Sequence, residues 1–488
     1  MKINQPQTRF VGKIGGLLLA AAMLGFAGCS KSDDGGAAAP GSKFEWTTEI
    51  SETTPLFVVP GREAELTYAG ENLASVRVGT LPEGWSATVD ESARRITLSA
   101  TESAATKATL EVTVTGADAK TYSQQVELRC LNDFDDPAGV FVLNEGNMTT
   151  ENGSLTWISP EGYVLADAYK TVNGSELGNV AQDMAFCDGK IYVISQNGNK
   201  NPNGTVFEND GMLVVVDART LKRTAAYTND DLDGLDWPTH IAVLDERHIY
   251  LRDNAGIYRF DPTTKALIPI PGADGAPKSR FVTLGDKVYT FKSGSVFCYL
   301  YELSTADDAV KSYRLPSYFM SVVGIQGADD GRIWVMSYES NKAYINKFDL
   351  STSTVIRRQI GFKPETGSSG VAFVARGNDL YYADGVGLYH LPFDESADLE
   401  IGSGLEAEEK LVDLEGLDEK VGILYNGLGI HPVTGRLYAN TIRSYANFTQ
   451  NRIWCLDPTA SPVAPVAQYD NYTHFPAGFY FAPARSEE

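Results

Sequence analysis

The sequence of 488 residues is poor in positive charge: 41 Lys and Arg stand against 63 Asp and Glu, a net charge of −22. Loss of the first 28 residues, which hold three of the cations, leaves 38 cations against 63 anions, or about −25. Phosphate backbones and anionic lipid headgroups repel such a chain. We therefore expect no nucleic-acid partner and no attraction of the protein surface to anionic membranes.

Cysteine and histidine are also scarce. Apart from Cys29, the cysteines are Cys130, Cys187, Cys298 and Cys455, which are spread singly without a CxxC pair. Cys187 and Cys298 lie in alternating apolar segments, which is typical of small core residues and not of redox or zinc groups. The five histidines are dispersed, and no HExxH, GxSxG or Walker sequence occurs. We therefore expect a binding protein and not an enzyme.

Long apolar runs are absent as well. The apolar run of residues 14–24 is too short to span a bilayer, and it follows three cations without an acid, which predicts a signal peptide over residues 1–28. Phe-Ala-Gly before Cys29 is similar to the lipobox of bacterial lipoproteins, in which the cysteine becomes the lipidated first residue. The alternative is an ordinary cleaved signal with a chance cysteine.

Residues 29–42 are rich in Gly, Ala, Pro and Ser and predict a flexible tether. Its start, Ser-Lys-Ser-Asp-Asp over residues 30–34, is similar to the export tag of Bacteroidetes surface lipoproteins. This resemblance implies a protein on the outer membrane, facing outside and touching the membrane only through its lipid anchor. A merely solvated linker is the alternative.

The region of residues 43–130 alternates apolar and polar residues at period two, with Gly, Pro and Asp turns between about seven short segments. This pattern predicts a β-sandwich. The stretch resembles the Ig-like modules that precede binding or catalytic domains in surface proteins of gut Bacteroidetes. We interpret it as a spacer, followed by a polar linker over residues 131–138.

Residues 139–484 repeat one phrase seven times: a Gly/Asp turn, a short apolar-aromatic strand, then a strand that ends on Asp. The repeated strands lie at residues 140–143, 191–194, 249–251, 288–291, 333–336, 380–382 and 437–439. Their spacing of roughly 40 to 58 residues is the period of a four-stranded propeller blade. The sequence therefore predicts an all-β protein, an Ig-like β-sandwich followed by a seven-bladed β-propeller.

Each repeated strand follows a shorter apolar segment, which we interpret as the inner strand of a blade. The final segment, residues 477–482, looks like one more inner strand, whereas the first repeat at residue 140 lacks one. We therefore expect the C-terminal strand to complete the first blade and hide the sheet edges.

Antiparallel order puts the turns between first and second strands, and between third and fourth strands, on one face, where they are short and acidic. The loops between second and third strands, and between blades, share the other face, called here the loop face. Its candidate ligand-binding residues are Asn144, Asn147, Gln182, Gln196, Asn197, Trp237, His240, Arg252, Lys278, Arg280, Lys292, Tyr318, Tyr338, Tyr425, Asn426, Arg443, Tyr445 and His474.

Cations, amides and aromatic rings on the loop face suit a large ligand with anionic or carbonyl groups. The alternative is that these cations are merely solvated and that Glu145, Asp183, Asp253 and Glu339 neutralise them.

A further candidate is the segment that begins at Asn229, with oxygen ligands at Asn229, Asp231 and Asp233 and Gly234 in sixth place, as in a calcium loop. His240 stands where the closing Glu should be, so the motif is half present. A turn rich in Asp between two blades is the favoured interpretation, and no other cofactor is indicated.

The segments 141–147, 153–157, 172–178 and 182–184 resemble the start of the seven-bladed YncE-like surface lipoproteins of Bacteroidetes. That family includes the cobalamin-binding partners of outer-membrane transporters. The resemblance implies a protein that captures a bulky nutrient and passes it to a TonB-dependent transporter, with a corrinoid such as vitamin B12 as the first choice. A ferric siderophore or haem is the second choice. A protein- or glycan-binding adhesin and a propeller hydrolase are the competing functions from different classes.

Overall fold

A computed structural model of the protein describes residues 41–50, 54–201, 203–317, 320–362, 371–396 and 407–484. The predicted signal peptide, Cys29 and Tyr318 lie outside these residues. The chain divides after Cys130 into two compact units.

The first unit is a β-sandwich of two four-stranded sheets, in the orders β1-β3-β6-β5 and β2-β8-β7-β4. Its strands are β1 (Lys43–Trp46), β2 (Leu56–Val58), β3 (Glu63–Glu71), β4 (Leu73–Val78), β5 (Trp85–Asp90), β6 (Arg95–Ala100), β7 (Lys107–Gly116) and β8 (Thr121–Cys130). Alternate residues of both sheets, among them Leu66, Ile96, Leu110 and Val112, form one apolar core. The seven segments of the period-two pattern correspond to β2 to β8, whereas β1 was not predicted.

The second unit consists of seven four-stranded sheets. The first four are β36 (Pro476–Tyr480), β9 (Val140–Asn144), β10 (Ser154–Ile158), β11 (Val164–Leu165); β12 (Asn179–Cys187), β13 (Lys190–Gly198), β14 (Leu213–Asp217), β15 (Arg223–Tyr227); β16 (His240–Asp245), β17 (His248–Arg252), β18 (Ile257–Asp261), β19 (Ala266–Pro269); and β20 (Val282–Leu284), β21 (Lys287–Ser293), β22 (Cys298–Ser304), β23 (Asp307–Arg314).

The last three sheets follow the same order. They are β24 (Ser321–Gly327), β25 (Ile333–Glu339), β26 (Lys342–Asp349), β27 (Thr354–Ile360); β28 (Phe373–Arg376), β29 (Asp379–Asp384), β30 (Gly387–Pro392), β31 (Glu409–Asp413); and β32 (Ile423–Ile430), β33 (Leu437–Ile442), β34 (Asn451–Leu456), β35 (Pro465–Asp470). The seven repeated strands of the sequence are the second strands of these sheets, as predicted.

The inner strands contact one another in a closed ring, β36 to β12, β16, β20, β24, β28, β32 and back to β36. This ring makes the seven sheets the blades of a β-propeller. β36 pairs antiparallel with β9, with Phe479 opposite Val142 and Tyr480 opposite Phe141. The predicted closure of the first blade by the C-terminal strand is therefore confirmed.

The second strands are almost wholly buried because neighbouring blades cover both of their faces. β9 is buried along its whole length, and so is β13 apart from its first residue. A strand covered on both faces has no need of polar residues in alternate positions. This explains why the sequence showed uniform apolar phrases in the propeller and alternation in the sandwich.

Residues 131–138 pack on the propeller. Phe134 is 1% exposed, and its ring lies 4.7 Å from Trp157 and 6.3 Å from Phe141, centroid to centroid. Its backbone N–H donates to the carbonyl of Arg219. The segment predicted as a linker therefore belongs physically to the second unit.

Two short α-helices interrupt the strands, α1 (Ala168–Asn173) after the first blade and α2 (Leu414–Leu417) after the sixth. The Asp167 carboxylate caps α1 by accepting from the Lys170 N–H. No helix in the described ranges is long and apolar enough to cross a membrane.

The four cysteines of the described chain are free thiols. Cys298 is fully buried in an apolar cluster, and Cys187 packs at the edge of another. Burial raises the pKa of the Cys187 thiol to about 12, so it stays protonated at neutral pH. The prediction of a core residue is confirmed for Cys298, whereas Cys187 is only partly buried.

Candidate functional site

Four polar side chains from four consecutive blades meet at the ring of inner strands, on the side of the loop face. Asp183 comes from β12, His240 begins β16, Arg280 precedes β20 and Tyr480 ends β36. This axial cluster is joined by direct contacts. The Tyr480 hydroxyl donates to Asp183 Oδ1 at 2.7 Å, and His240 Nδ1 lies 3.1 Å from Asp183 Oδ2.

Arg280 completes the axial cluster. Its Nη2 donates to the Tyr480 hydroxyl at 2.8 Å, and its Nε lies 3.4 Å from Asp183 Oδ1. The guanidinium carbon also lies 4.3 Å from the centroid of the Tyr480 ring.

The charge state of the axial cluster follows from its burial. Burial opposes ionisation of Asp183, but the hydrogen bond with His240 and the charge of Arg280 hold its pKa below the ordinary value. Burial lowers the pKa of His240 despite the nearby carboxylate. At neutral pH we therefore assign an ionised Asp183 and a neutral His240 whose Nδ1–H donates to it. His240 Nε2 is buried and has no hydrogen-bond partner in the described chain.

A second group of four residues, the carboxyl subsite, adjoins the axial cluster and comprises Glu145, Gln182, Lys278 and Asn426. Asn426 Nδ2 donates to Glu145 Oε1 at 3.1 Å, and Gln182 also bonds to this carboxylate. Burial raises the pKa of Glu145 to about 7, although the charge of Lys278 and these two hydrogen bonds act in the opposite direction. Glu145 is therefore about half protonated at neutral pH.

The ammonium of Lys278 is the unusual charge in the carboxyl subsite, because it is partly buried and has no partner in the part of the chain that the structure describes. Burial lowers its pKa, the charge of Glu145 opposes this, and the charge of Arg252 adds to it. Within the described residues, its ammonium has neither a hydrogen bond nor an ion pair within 4.0 Å. A partly buried cation without a partner is an unusual feature in a chain with a large excess of acids.

Four aromatic side chains, the aromatic rim, extend outward from the carboxyl subsite: Tyr425, Tyr445, Phe448 and Phe475. The rings of Phe448 and Phe475 are stacked at 4.1 Å, and Tyr425 lies 5.4 Å from Phe475 and 6.1 Å from Tyr445. Tyr445 is 65% exposed. Glu145 connects the rim to the subsite, because its backbone N–H donates to the Phe475 carbonyl.

The backbone of the loop face is strained at several of these positions. Four residues have a backbone φ between 52° and 57°, a range that residues other than glycine rarely adopt: Val180, Trp237, Asn426 and Phe475. Val180 is β-branched and lies where β12 loses regular register with β13. Such outliers concentrate at functional sites, where surrounding contacts hold them in place.

The structure brings seven of the predicted residues into these groups: Gln182, His240, Lys278, Arg280, Tyr425, Asn426 and Tyr445. His474 lies beside them. Its ring contacts Phe448 edge-on, and its Nδ1 lies 2.9 Å from Glu151 Oε2.

Other predicted residues are committed to the protein itself. Arg252 is buried, and its guanidinium donates twice to the Ala276 carbonyl and once to Thr239. Asn144 is fully buried and bonds to Thr156 and to the His474 N–H. These side chains hold loops in place and are not available to a ligand.

Several of the predicted amide side chains are also committed to the protein itself. Asn197 is buried and donates to the Asn179 side chain, and Gln196 is also buried. Asn147 caps a local turn by accepting from Thr149.

The remaining predicted residues lie on the loop face outside the axial cluster, the carboxyl subsite and the aromatic rim. Trp237 is 42% exposed, the Tyr338 hydroxyl contacts Asn341 at 3.4 Å, and the exposed Arg443 donates to the Lys420 carbonyl. Lys292 lies next to the end of β21 and is half-buried.

The proposed calcium ligands are used by the turn. Asn229 Oδ1 accepts from the Asn199 N–H, and Asp231 accepts from Thr228 and pairs with Lys265 at 2.6 Å. In the described ranges no three His, Cys, Asp or Glu residues are arranged to hold a metal ion. The contacts at Asn229 and Asp231 agree with an Asp-rich turn at this place. They do not involve Asp233.

Two cavities lie outside the axial cluster and the carboxyl subsite. A cleft of 360 Å³ on the loop face is lined by residues including Glu151, Asp167 and His474. A groove of 700 Å³ on the opposite face contains ion pairs such as Lys287 with Glu302 at 3.1 Å. The charges of the groove already satisfy one another, in contrast to Lys278.

Sequence reasoning missed Tyr480 and Phe448, and it considered Glu145 and Asp183 only in the alternative that they neutralise the loop cations. The signal for Tyr480 was available, since closure of the first blade puts the C-terminal strand next to β12. Nothing in the sequence indicated that Phe448 stacks on Phe475.

Comparisons with known proteins agree with the fold. A family model described as a domain of unknown function, DUF5074, matches residues 138–482. Comparison with curated proteins gives no match. A quinoprotein alcohol dehydrogenase-like protein from Bacteroides thetaiotaomicron has a similar structure, with a TM-score of 0.56 at 14% identity over 90% of this chain and 99% of that one.

Two further solved structures are more distant. A puromycin hydrolase gives a TM-score of 0.43 at 11% identity over 70% of this chain and 56% of that one. A protein from Lactobacillus plantarum gives 0.41 at 12% identity over 70% and 98%. The similarity to the Bacteroides protein shows the fold alone, and activity must be argued from the site.

Proposed function

Since this chain belongs to the DUF5074 family, whose description assigns no function, we propose one from the chemistry of its loop face: the protein captures a bulky small molecule there. The observation that carries this proposal is the junction at Glu145, where unpartnered Lys278 and the aromatic rim adjoin. An aromatic platform beside a few convergent polar groups is the usual composition of a small-molecule site.

The finer proposal follows the sequence resemblance. The protein is a lipoprotein anchored through Cys29 on the outside of the outer membrane, and it passes its ligand to a TonB-dependent transporter. A corrinoid such as vitamin B12 is the first choice. A ferric siderophore or haem is the second choice, and the unpartnered cation favours it because such chelates are anionic.

The proposed capture function is tested with coloured ligands. The purified chain, without its signal peptide, is incubated in turn with cobinamide, cobalamin, a ferric catecholate and haem, desalted, and measured by visible absorbance. We expect one ligand class to stay with the protein at about one equivalent. A Tyr445→Ala variant should retain less of it, because the exposed ring provides contact area.

Protein that stays colourless with all four ligands would contradict nutrient capture. The control is Lys342→Met, at an exposed position on the loop face away from the rim, which should bind like the wild type.

A further inference from the structure

Lys278 lies where an anionic group would find a partner. Its ammonium is partly buried and has neither a hydrogen bond nor an ion pair within the described chain. Arg252, the nearest cation that acts on it, already donates to the Ala276 carbonyl and to Thr239. The positive charge of Arg252 therefore supports an anion at Lys278 but does not compete for it.

Glu145 does not neutralise Lys278. The two groups influence each other's ionisation, but no ion pair within 4.0 Å joins them. The carboxyl group of Glu145 is instead held by hydrogen bonds with Asn426 and Gln182. The ammonium of Lys278 therefore stays available to a polar group of a ligand.

The aromatic rim begins at the same place. Tyr425 is near enough to Glu145 for that carboxylate to raise the pKa of its hydroxyl, together with the larger effect of burial. From Tyr425 the rings continue through Phe475 and Phe448 on one side and to the exposed Tyr445 on the other. Glu145 thus bonds to the aromatic rim through its backbone and acts on the unpartnered cation through its side chain.

We propose that this site selects planar, anionic small molecules, with an aromatic carboxylate as the simplest example: the anionic head pairs with Lys278 and the flat body stacks on the aromatic rim. The proposal rests on the proposed ligand-binding function and adds a ligand class to it. The chain's net charge of −22 repels anions at long range, but physiological salt screens this repulsion beyond about 8 Å, so local contacts decide.

Glu145 couples this binding to protons. An anion at Lys278 lies close to the Glu145 carboxyl, and their repulsion favours the protonated form of Glu145 in the complex. Binding should therefore strengthen as the pH falls from 8 to 6, a range that includes the pKa of about 7. The titratable and charged groups acting on Glu145 and Lys278 are each other, Tyr425, Arg252 and His240. Neither tyrosine nor arginine titrates in this range, and burial lowers the pKa of His240 below its ordinary value of 6.5.

The test uses two fluorescent probes of the same shape, 1-pyrenecarboxylate and the neutral 1-pyrenemethanol. Their affinities are measured by fluorescence anisotropy at pH 7 in about 0.15 M salt. We expect the wild type to bind the carboxylate roughly tenfold more tightly than the alcohol, because a charge-assisted hydrogen bond to Lys278 is stronger than a neutral one. Lys278→Met should remove this preference, and Lys278→Arg should keep it.

Tyr445→Ala should weaken both probes equally, because it removes stacking surface and no charge. Lys342→Met, the matched control, should behave like the wild type. The inference is overturned if the wild type binds neither probe, if it does not prefer the carboxylate, or if Lys278→Met retains the preference. Circular dichroism of each variant verifies that it is folded.

The two proposals fail separately. If none of the four coloured nutrients is retained but the Lys278-dependent preference is found, the nutrient proposal is wrong and the anionic subsite stands. If a nutrient is retained and Lys278→Met binds it as well as the wild type, capture stands and this inference is wrong.

Discussion

At the scale of the residue, Arg252 and Lys278 show why loop cations cannot be assigned from sequence. Arg252 ends β17 and Lys278 lies in the loop before β20, on the same face, and both looked equally suited to bind an anion. A carbonyl group of the chain, that of Ala276, meets the guanidinium of Arg252, whereas no such group meets Lys278 within the described residues. Which carbonyl a loop presents depends on its three-dimensional path, which no local pattern encodes.

Glu145 provides a prediction about stability and pH. Its folded pKa of about 7 exceeds the ordinary value of 4.5, so the native state binds this proton more tightly than the unfolded state does. The native state therefore loses stability as the pH rises from about 4.5 to about 7, by at most about 3 kcal/mol at about 1.4 kcal/mol per unit. Glu145→Gln should remove this loss.

We expect Glu145→Gln to increase the free energy of unfolding by about 1–3 kcal/mol at pH 8 and to change it little at pH 4.5, as measured by urea denaturation. The exposed Glu419→Gln should have no effect at either pH. An equal effect of Glu145→Gln at both pH values would show that burial of this charge does not control the difference.

At the scale of the element, strands were predictable and connections were not. The second strands are covered on both faces, so their apolar phrases stand out. The segment of residues 131–138 looked like a linker because Asn, Asp and Pro dominate it, yet Phe134 anchors it between Phe141 and Trp157. A single buried ring outweighs the polar composition, since it contributes most of the packing energy.

Phe134→Ala should therefore destabilise the second unit. Removal of a fully buried Phe ring costs about 3–5 kcal/mol, whereas the same change in a loose linker costs less than about 0.5 kcal/mol. Urea denaturation measures the cost, and limited proteolysis should show faster cleavage within residues 131–138. Unchanged stability and cleavage would show that the segment is not anchored.

At the scale of the whole molecule, the period of the sequence predicted seven blades and their closure. It also predicted the face that carries the candidate site, because antiparallel order alone distributes the loops. The side-chain contacts of the axial cluster were not predicted, since Asp183, His240, Arg280 and Tyr480 are far apart in sequence and meet only when the ring is closed.

Removal of the last strand should open the ring. A chain ending at His474 lacks β36, which exposes the edge of β9 and removes Tyr480 from Asp183. We expect this chain to unfold without a cooperative transition and to form oligomers through its open edge, as measured by calorimetry and light scattering. A chain ending at Ala482 keeps β36 and should match the full-length protein. A cooperative monomer from the shorter chain would contradict this role of β36.

The pairing of β36 with β9 also sets the order of events during synthesis. The first blade is made early but has no inner strand until β36 leaves the ribosome, so its native form waits for that strand. A product cut short before β36 by a premature stop or by a protease has neither a closed ring nor an assembled axial cluster. Synthesis of β36 is thus the step that makes the site available.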